Sequence, residues 1–168
     1  MTEKLFIADP YNEDHINLFK EFETRNNYND KTSTILENIK NNYTKEQYEE
    51  DMKNKNIINE YLFLEDKGYM KDYCFINAER DRKSATLELP IFEDSPKNRM
   101  IISQATDYSF NVLGMQTIVV MTDINNKRLI DNLEKKSFEN LGEENGKIIF
   151  VKEKELDKEQ GMIRHGNI

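Results

Sequence analysis

Residues 122–138 read TDINNKRLIDNLEKKSF and follow directly on the apolar run TIVVM at residues 117–121. A short apolar run is typical of a buried strand, and the spacing of isoleucine and leucine after it indicates a helix over residues 126–136. Asn126 stands where that helix begins, and asparagine is among the best helix N-caps. The same residue could instead contact a ligand at the start of the helix, or do both, although the bare pattern favours capping.

Composition and charge narrow the class of protein. The chain has 168 residues, of which 37% are hydrophobic and 33% charged, and this predicts one domain with a polar surface. The formal net charge of −8 repels phosphate, so we do not expect a nucleic-acid partner. No stretch approaches the ~18 apolar residues of a membrane span. Since the N-terminal residues do not resemble a signal peptide either, we expect a cytoplasmic protein without a membrane partner.

The cysteine and histidine content argues against thiol or zinc chemistry. Cys74 is the single cysteine and lies in an apolar run, residues 73–76, where a buried structural thiol is expected. Of the two histidines, His15 lies in the first predicted helix and His165 lies near the C-terminus. The sequence therefore predicts neither a zinc site nor a Cys-His pair.

The order of predicted elements is β-α-α-β-β-β-α-β-α-β, which indicates one mixed α/β (α+β) domain. We assign this domain to residues 1–154, and residues 155–168 show no periodic pattern and are predicted to be a tail. The predicted strands are 5–8, 61–64, 73–76, 84–92, 117–121 and 147–151. The first predicted helix begins after Asn12. The second helical region has two parts, one with an apolar stripe at residues 35–39 and one that opens with a capping box at residues 44–47. Two further helices are predicted over residues 96–113 and 126–136.

Residues 84–92 alternate with period two and lead into the helix predicted over residues 96–113. Ser95 is the predicted N-cap of that helix, and Pro96 fits its first position. A helix between two strands is the usual crossover of a parallel pair, so strand 84–92 should lie beside strand 117–121 and parallel to it. One face of the first strand carries Ala85, Leu87, Leu89 and Ile91, and the other carries Thr86, Glu88 and Phe92.

The opening stretch resembles the GNAT fold family, the acyl-CoA-dependent N-acyltransferases. Members often carry an asparagine shortly after the fifth strand and then a helix that ends near Leu-Glu-Lys-x-Gly-Phe. Here Asn126, Leu133-Glu134-Lys135 and Phe138 stand at those places. The Leu-Glu-Lys version is most similar to the branch that acetylates protein N-termini, including those of ribosomal proteins. The resemblance covers residues 1–152, and its specific part is residues 105–142.

The resemblance implies an enzyme that uses acetyl-CoA as co-substrate and acetylates a small-molecule or peptide amine by direct transfer. It implies a mixed sheet flanked by helices, with two parallel strands splayed to open a cleft, and a homodimer is compatible with it. By the resemblance, Glu88 is the candidate general base, the N–H groups of Leu89 and Ile91 are donors to the acetyl oxygen, and Asn126 contacts the cofactor. The alternative for Glu88 is an ordinary solvent-facing strand position.

The loop before helix 96–113 departs from the family pattern. Family members begin this helix with Arg/Gln-x-x-Gly-x-Gly/Ala, whose backbone N–H groups hold the CoA pyrophosphate, whereas residues 93–99 contain no glycine. Glu93 and Asp94 repel phosphate, and a proline in the loop lacks an N–H. The cofactor-binding residues predicted here are Ser95, Lys97, Asn98 and Arg99, with positive charge from Lys97 and Arg99.

Further departures leave two main interpretations open. Leu129 replaces a small residue and could crowd the pantetheine arm, Leu133 replaces a tyrosine that many members use as general acid, and Ser137 replaces a glycine. The chain is either an N-acetyltransferase without a visible general acid, or a non-catalytic GNAT-like domain that binds a small ligand or a protein partner. An unrelated α/β interaction module is the third interpretation, if the match at residues 126–138 is accidental.

Overall fold

The computed structural model describes residues 3–28, 31–92 and 95–155, and these ranges contain seven strands and five helices. None of the helices within these ranges is long and apolar enough to cross a membrane. The strands are β1 (Lys4–Ile7), β2 (Ile57–Asp66), β3 (Tyr69–Glu79), β4 (Ser84–Glu88), β5 (Thr117–Asp123), β6 (Glu139–Glu144) and β7 (Lys147–Glu153). The helices are α1 (Glu13–Arg25), α2 (Thr32–Asn42), α3 (Lys45–Asn54), α4 (Met100–Asn111) and α5 (Lys127–Lys135).

The strands form one sheet in the order β1-β2-β3-β4-β5-β7-β6. Every neighbouring pair is antiparallel except β4 and β5, which run parallel from Ser84↔Thr117 to Leu87↔Val120. α4 connects these two strands, because parallel neighbours need a crossover. The prediction of a mixed α/β domain with these two strands side by side and parallel is confirmed.

Helices cover both faces of the sheet and bury two apolar clusters. Leu62 and Phe63 are neighbours on β2 but belong to different clusters, because successive residues of a strand point to opposite faces. Burial of each large apolar side chain contributes about 1.5–3 kcal/mol to folding. The α1–α2 cluster includes Ile16, Phe19, Phe22, Leu36, Phe63 and Tyr73. The α4–α5 cluster includes Leu62, Ile76, Leu87, Ile101, Val120, Leu129 and Leu133.

Cys74 lies in the α4–α5 cluster and is fully buried, so the predicted structural thiol is confirmed. Burial raises the pKa of this thiol, which therefore stays protonated at neutral pH and supplies no nucleophile. Within residues 3–28, 31–92 and 95–155, no group of three or more histidine, cysteine, aspartate or glutamate side chains could hold a metal ion.

Three predicted helix starts agree with the structure because each is encoded by neighbouring residues. Asn12 caps α1 with its side chain. Thr44 opens α3 with a reciprocal capping box to Gln47. Asn126 caps α5 by accepting a hydrogen bond from the Leu129 N–H at 3.3 Å. Contacts within one helical turn are visible in the sequence itself.

The strand predicted over residues 84–92 is wrong at its C-terminal end, because β4 stops at Glu88. Pro90 lies just beyond that end and has no N–H with which to continue a ladder. The alternating pattern places Ile91 on the buried face, but this side chain is 58% exposed. The chain has therefore left the sheet before it reaches residue 91.

The helix predicted over residues 96–113 is longer than the observed one, and its predicted N-cap is wrong. α4 begins at Met100 with Arg99 as the N-cap residue, and no side chain caps it. Ser95 closes a turn instead, because its Oγ accepts a hydrogen bond from the Phe92 N–H at 3.3 Å and donates one to the Phe92 carbonyl at 2.7 Å. The serine thus belongs to a turn that precedes the helix.

The C-terminal part contains a strand that the sequence pattern does not predict. β6 pairs with β7, but all of its residues are exposed, so it lacks the apolar alternation that indicates a strand. The division into a domain at residues 1–154 and a tail at 155–168 stays a prediction, because residues 156–168 lie outside the described residues.

Candidate active site

The parallel strands β4 and β5 separate at one end and open a cleft. Their pairing ends at Leu87↔Val120. β5 continues to Asp123 and stays paired with β7, whereas the chain after Glu88 leaves the sheet. The cleft between the separating chains has a volume of about 530 Å³. It is lined by residues 86–91 on the β4 side, by residues 121–123 on the β5 side, and by side chains of β2, β3, α2, α5 and β7.

Glu88 lies at the last position of β4, with its side chain exposed in the cleft. Its partner on β3 is Phe75, and directly opposed residues of antiparallel strands point to the same face of a sheet. The carboxylate therefore lies on the side of the sheet that α1 and α2 cover. An exposed carboxylate at this place can accept a proton from an ammonium group.

Aromatic side chains form the wall of the cleft next to Glu88. The ring centroids of Tyr61 and Phe75 lie 4.7 Å apart, and those of Tyr61 and Tyr73 lie 6.3 Å apart. Burial raises the pKa of Tyr73, so its phenol stays protonated at neutral pH. Aromatic faces attract cations, so this wall favours an ammonium group beside an apolar body. Tyr28 and Lys31 complete it from the connection between α1 and α2.

Backbone N–H groups are free where the chain leaves β4. Leu89 and Ile91 line the cleft, and in the part of the chain that the structure describes no acceptor bonds their N–H groups. Pro90, between them, has no N–H. These two N–H groups are available to a carbonyl oxygen in the cleft, and their role as donors stays a prediction.

The start of α4 also presents free backbone N–H groups. Among the described residues, no acceptor bonds the N–H groups of Lys97, Asn98 or Arg99. The side chains of Lys97 and Asn98 are exposed. A helix start combines such groups with a partial positive charge and favours anions. The glycine-free loop therefore keeps the donors that a phosphate needs.

Arg99 does not stand free at the start of α4. Its side chain is 3% exposed, and it donates hydrogen bonds from Nε and Nη2 to the two carboxylate oxygens of Asp72 at 2.9 and 2.6 Å. The guanidinium carbon also lies 5.8 Å from the ring centroid of Phe92. Burial raises the pKa of Asp72, and the guanidinium acts against that rise. Since its charge is matched by Asp72, Arg99 serves the fold here, and Lys97 is the exposed cation of the four predicted residues.

Two side chains of α5 hold the loop before α4, and the sequence interpretation missed both contacts. Arg128 donates a hydrogen bond to the Ser95 carbonyl at 2.7 Å. Asn132 donates one to the Lys97 carbonyl at 3.1 Å and is itself buried. Positions 128 and 132 share one face of a helix, which is a signal in the sequence, but nothing in the sequence names the loop that this face meets.

Comparisons with known proteins bear on the fold. No protein-family model matches the sequence, and no curated protein matches it. Ribosomal-protein-S5-alanine acetyltransferase from Vibrio fischeri superposes with a TM-score of 0.70 at 16% identity, covering 91% of this chain and 93% of that chain. Spermidine N-acetyltransferase from Vibrio cholerae gives 0.63 at 15% identity, with coverages of 90% and 94%. N-acetyltransferase PseH from Campylobacter jejuni, in complex with acetyl coenzyme A, gives 0.61 at 12% identity, with coverages of 91% and 99%.

The chain has the GNAT fold. This conclusion rests on the sheet order, the parallel pair β4–β5 and the superpositions, which cover nearly the whole length of each protein. Identities of 12–16% show the fold alone, so the roles of individual residues in this GNAT fold stay predictions.

Asn126 lies where both of its predicted roles are compatible with the geometry. It caps α5, and it also lines a small cavity of about 150 Å³ beside the start of α4. Ser95, Arg99 and Arg128 line the same cavity. The structure thus brings together residues from the two loops that the resemblance assigns to the cofactor.

The departures from the family pattern have distinct structural positions. Leu129 lines the cleft and is buried, so it narrows the space between β4 and β5. Leu133 is fully buried in the α4–α5 cluster, so this position supplies no acid. Ser137 has φ +67°, in the left-handed region that favours glycine. A serine in this conformation costs some backbone strain that a glycine would avoid.

Proposed function

We propose that this protein is an acetyl-CoA-dependent N-acetyltransferase that acts on a primary amine by direct transfer. The observation that carries the proposal is the cleft where β4 and β5 stop pairing after Leu87↔Val120, with Glu88 on its wall. Such an opening lets an extended thioester arm pass between two strands while the amine approaches from the side of the sheet where Glu88 lies. The GNAT fold supports the same reaction class by analogy.

The residues of the cleft supply the groups that the reaction needs. Glu88, acting through water, takes a proton from the ammonium form of the acceptor. The amine nitrogen then attacks the thioester carbon, a C–N bond forms, and the C–S bond breaks with its electron pair on sulfur. The N–H groups of Leu89 and Ile91 stabilise charge on the acetyl oxygen. The nitrogen of the new amide releases its second proton to solvent, and the thiolate takes a proton from solvent. Direct transfer is favoured because Cys74 is buried and protonated.

The residues at the start of α4 fit the diphosphate of acetyl-CoA in part. The free N–H groups of Lys97, Asn98 and Arg99 and the charge of Lys97 suit an anion. Ser95 and Asn126 lie beside them, around the small cavity. Acetyl-CoA supplies the activated acetyl group when bound, and the chain's part is to hold it and to deprotonate the amine.

The acceptor that the cleft suits is an amine on an apolar or aromatic body, either a small molecule or a peptide N-terminus. Glu88 supplies one carboxylate for the ammonium, and Tyr61, Tyr73 and Phe75 supply an apolar wall. The net charge of −8 favours approach of a cation. Since acetyl-CoA is a metabolite of the cell interior, we place the reaction in the cytoplasm.

A homodimer stays a prediction, which sedimentation measurements would test.

Three residues of the site are unfavourable for acetyl transfer and favour a second function. Leu129 fills space in the cleft, Leu133 supplies no acid, and Arg99 is committed to Asp72. A non-catalytic GNAT-fold domain that binds a small ligand or a protein partner would tolerate all three. Acetyl transfer assays with arylalkylamines and peptide N-termini, together with calorimetry of acetyl-CoA binding at low salt, decide between the two functions.

Glu88→Gln tests the proposed chemistry. Loss of a general base should lower turnover by roughly 10²-fold or more while acetyl-CoA affinity stays nearly unchanged. The matched control is Asp123→Asn, a carboxylate on the β5 side of the same cleft, which should retain turnover. If the two variants behave in the opposite way, Asp123 is the base and Glu88 is an ordinary surface residue.

A further inference from the structure

Glu23 on α1 carries a buried carboxylate that the proposed reaction does not use. The residue is 7% exposed. Its two oxygens accept hydrogen bonds from Ser33, one from the backbone N–H at 3.0 Å and the other from the side-chain hydroxyl. Within residues 3–28, 31–92 and 95–155, no cation forms an ion pair with Glu23. A carboxylate that is buried without a cation is costly, so its presence needs a physical explanation.

The hydrogen bonds of Glu23 cap the start of α2 from another helix. Lys31 occupies the N-cap position of α2, and its side chain makes no capping hydrogen bond. Lysine is not among the residues that cap helices, and its positive charge is unfavourable at a helix N-terminus. Glu23 supplies what Lys31 lacks, namely an acceptor for a first-turn N–H and a negative charge. A serine or an aspartate at position 31 would supply an acceptor locally, so the lysine indicates a different requirement at that position.

The cleft explains that requirement, because the start of α2 forms part of its wall. Lys31 and Thr32 line the cleft, whereas Glu23 does not. The side chain of Thr32 interacts with the phenol of Tyr73, another residue of the wall. Burial raises the pKa of Tyr73, and the charge of Glu23 acts in the same direction, so Glu23 lies close behind this wall.

We infer that Glu23 is a positioning residue for the amine acceptor, because it holds the first turn of α2 with Lys31 and Thr32 at the wall of the cleft. This inference rests on the proposed function. Glu23 acts on the acceptor through Ser33, since it does not line the cleft itself. The proposed base and the loop for the donor lie on other elements, so loss of Glu23 should weaken acceptor binding and leave the chemical step and the donor site intact.

The experiment measures kcat and KM with 2-phenylethylamine as acceptor and the acetyl-CoA affinity by calorimetry. Glu23→Ala should raise KM for the amine by about 5- to 20-fold, while kcat and the Kd of acetyl-CoA stay within about 2-fold of the wild type. Glu23→Gln keeps the shape of the side chain and one acceptor oxygen, so its KM should stay within about 3-fold of the wild type. Ser33→Ala is a milder variant that keeps the N–H bond, and it should raise KM by about 2- to 5-fold.

Asn12→Ala is the matched control for the loss of a helix cap. Asn12 caps α1, where its side chain accepts hydrogen bonds from the N–H groups of Asp14 and His15 at 2.9 and 3.3 Å. It does not line the cleft. The variant should lower Tm by about 2–4 °C, the usual effect of one lost cap in a chain of this size, and should leave KM unchanged.

Hydrogen exchange of the Ser33 amide tests the cap without a substrate. Since the Glu23 carboxylate protects this N–H, exchange should be about 5- to 20-fold faster in Glu23→Ala and unchanged in Asn12→Ala. Unchanged exchange in Glu23→Ala means that Glu23 does not hold the start of α2, and the inference fails.

The kinetic outcomes separate the inference from the proposed function. An equal rise of KM in Asn12→Ala means that the effect comes from lost stability, and a KM in Glu23→Gln as high as in Glu23→Ala means that Glu23 acts by its charge and not as a cap. Either result overturns the inference, as does a lower kcat with an unchanged KM. Absence of acetyl transfer by the wild type overturns the proposed function as well, whereas transfer with a KM that is indifferent to position 23 overturns the inference alone.

Discussion

The helices α4 and α5 begin close together, but their first turns are held by different kinds of contact. α5 is capped by Asn126, which lies next to its first residue and bonds the Leu129 N–H. α4 has no side-chain cap. Its start is held by an ion pair to Asp72 on β3 and by hydrogen bonds from α5. One start is therefore encoded locally and the other by residues distant in the sequence.

This difference shows how the loop that we propose to bind phosphate is held in place without glycine. Glycine lets a backbone approach a phosphate closely, but it leaves the loop flexible. Here Arg128 and Asn132 donate hydrogen bonds to carbonyl groups of the loop, and no acceptor among the described residues bonds the neighbouring N–H groups of Lys97 and Asn98. Side-chain contacts from α5 thus hold the loop in place while its donors remain available to a ligand.

The largest expected effect comes from breaking the ion pair that holds α4. Arg99→Ala leaves the Asp72 carboxylate buried without its partner and should lower the free energy of unfolding by about 3–5 kcal/mol. Urea unfolding followed by circular dichroism measures this change. The matched control is Arg82→Ala, which removes an exposed arginine from its ion pair with Glu79 and should cost about 0.5 kcal/mol or less.

The double variant Arg99→Met with Asp72→Leu sharpens the same test. Apolar side chains of similar size should restore most of the lost stability, because the desolvation cost of two charges disappears with the pair. If Arg99→Ala is no more harmful than Arg82→Ala, α4 is not held by this pair and the comparison between the two helices fails.

A smaller effect is expected at the locally encoded helix. Asn126→Ala removes the N-cap of α5 and should lower the free energy of unfolding by about 1 kcal/mol. Asn125→Ala is the control, since this neighbouring side chain is exposed and should change stability by less than about 0.5 kcal/mol.

Acetyl-CoA affinity of the same variants separates the two roles of Asn126. If the residue also contacts the cofactor, Asn126→Ala should weaken binding while Asn125→Ala does not. Equal stability of both variants would show that the cap does not matter and that α5, like α4, depends on distant contacts.

The smallest effect is expected from loosening the loop alone. Asn132→Ala removes the hydrogen bond to the Lys97 carbonyl and should lower stability by about 0.5–1 kcal/mol. Acetyl-CoA affinity should fall by roughly 3-fold, because the loop must be ordered on binding. Calorimetry measures the acetyl-CoA affinity of Asn132→Ala and of the control Asp131→Ala. Asp131 is an exposed neighbour on α5, so its substitution should leave the affinity unchanged. A loss of stability without a loss of affinity would separate this loop from the ligand.

Much of the fold could be predicted from the sequence because its signals are local. The caps at Asn12, Thr44 and Asn126 act within one helical turn, and apolar alternation indicates the strands. The parallel pair β4–β5 follows from a helix placed between two strands. β6 escaped prediction because its residues are all exposed, so its pairing with β7 leaves no apolar pattern.

The candidate site could be predicted only in part. Glu88 and Asn126 lie where the spacing and the resemblance put them, one in the cleft and one at the start of α5. The predicted boundaries of the neighbouring elements were wrong, because β4 ends at Glu88 and α4 begins at Met100. Both ends depend on which partners the finished sheet offers, and a linear pattern does not contain that information.

The sequence by itself determined most of the order of the elements, the caps of α1, α3 and α5 and the burial of Cys74, because each depends on residues within a few positions of one another. The tertiary structure decided that Arg99 meets Asp72, 27 positions away. A cation in a loop looks the same in the sequence whether it will bind phosphate or a buried carboxylate. The packing of α4 on β3 buries the Arg99 guanidinium beside Asp72, and a buried charge must be paired with an opposite charge within reach.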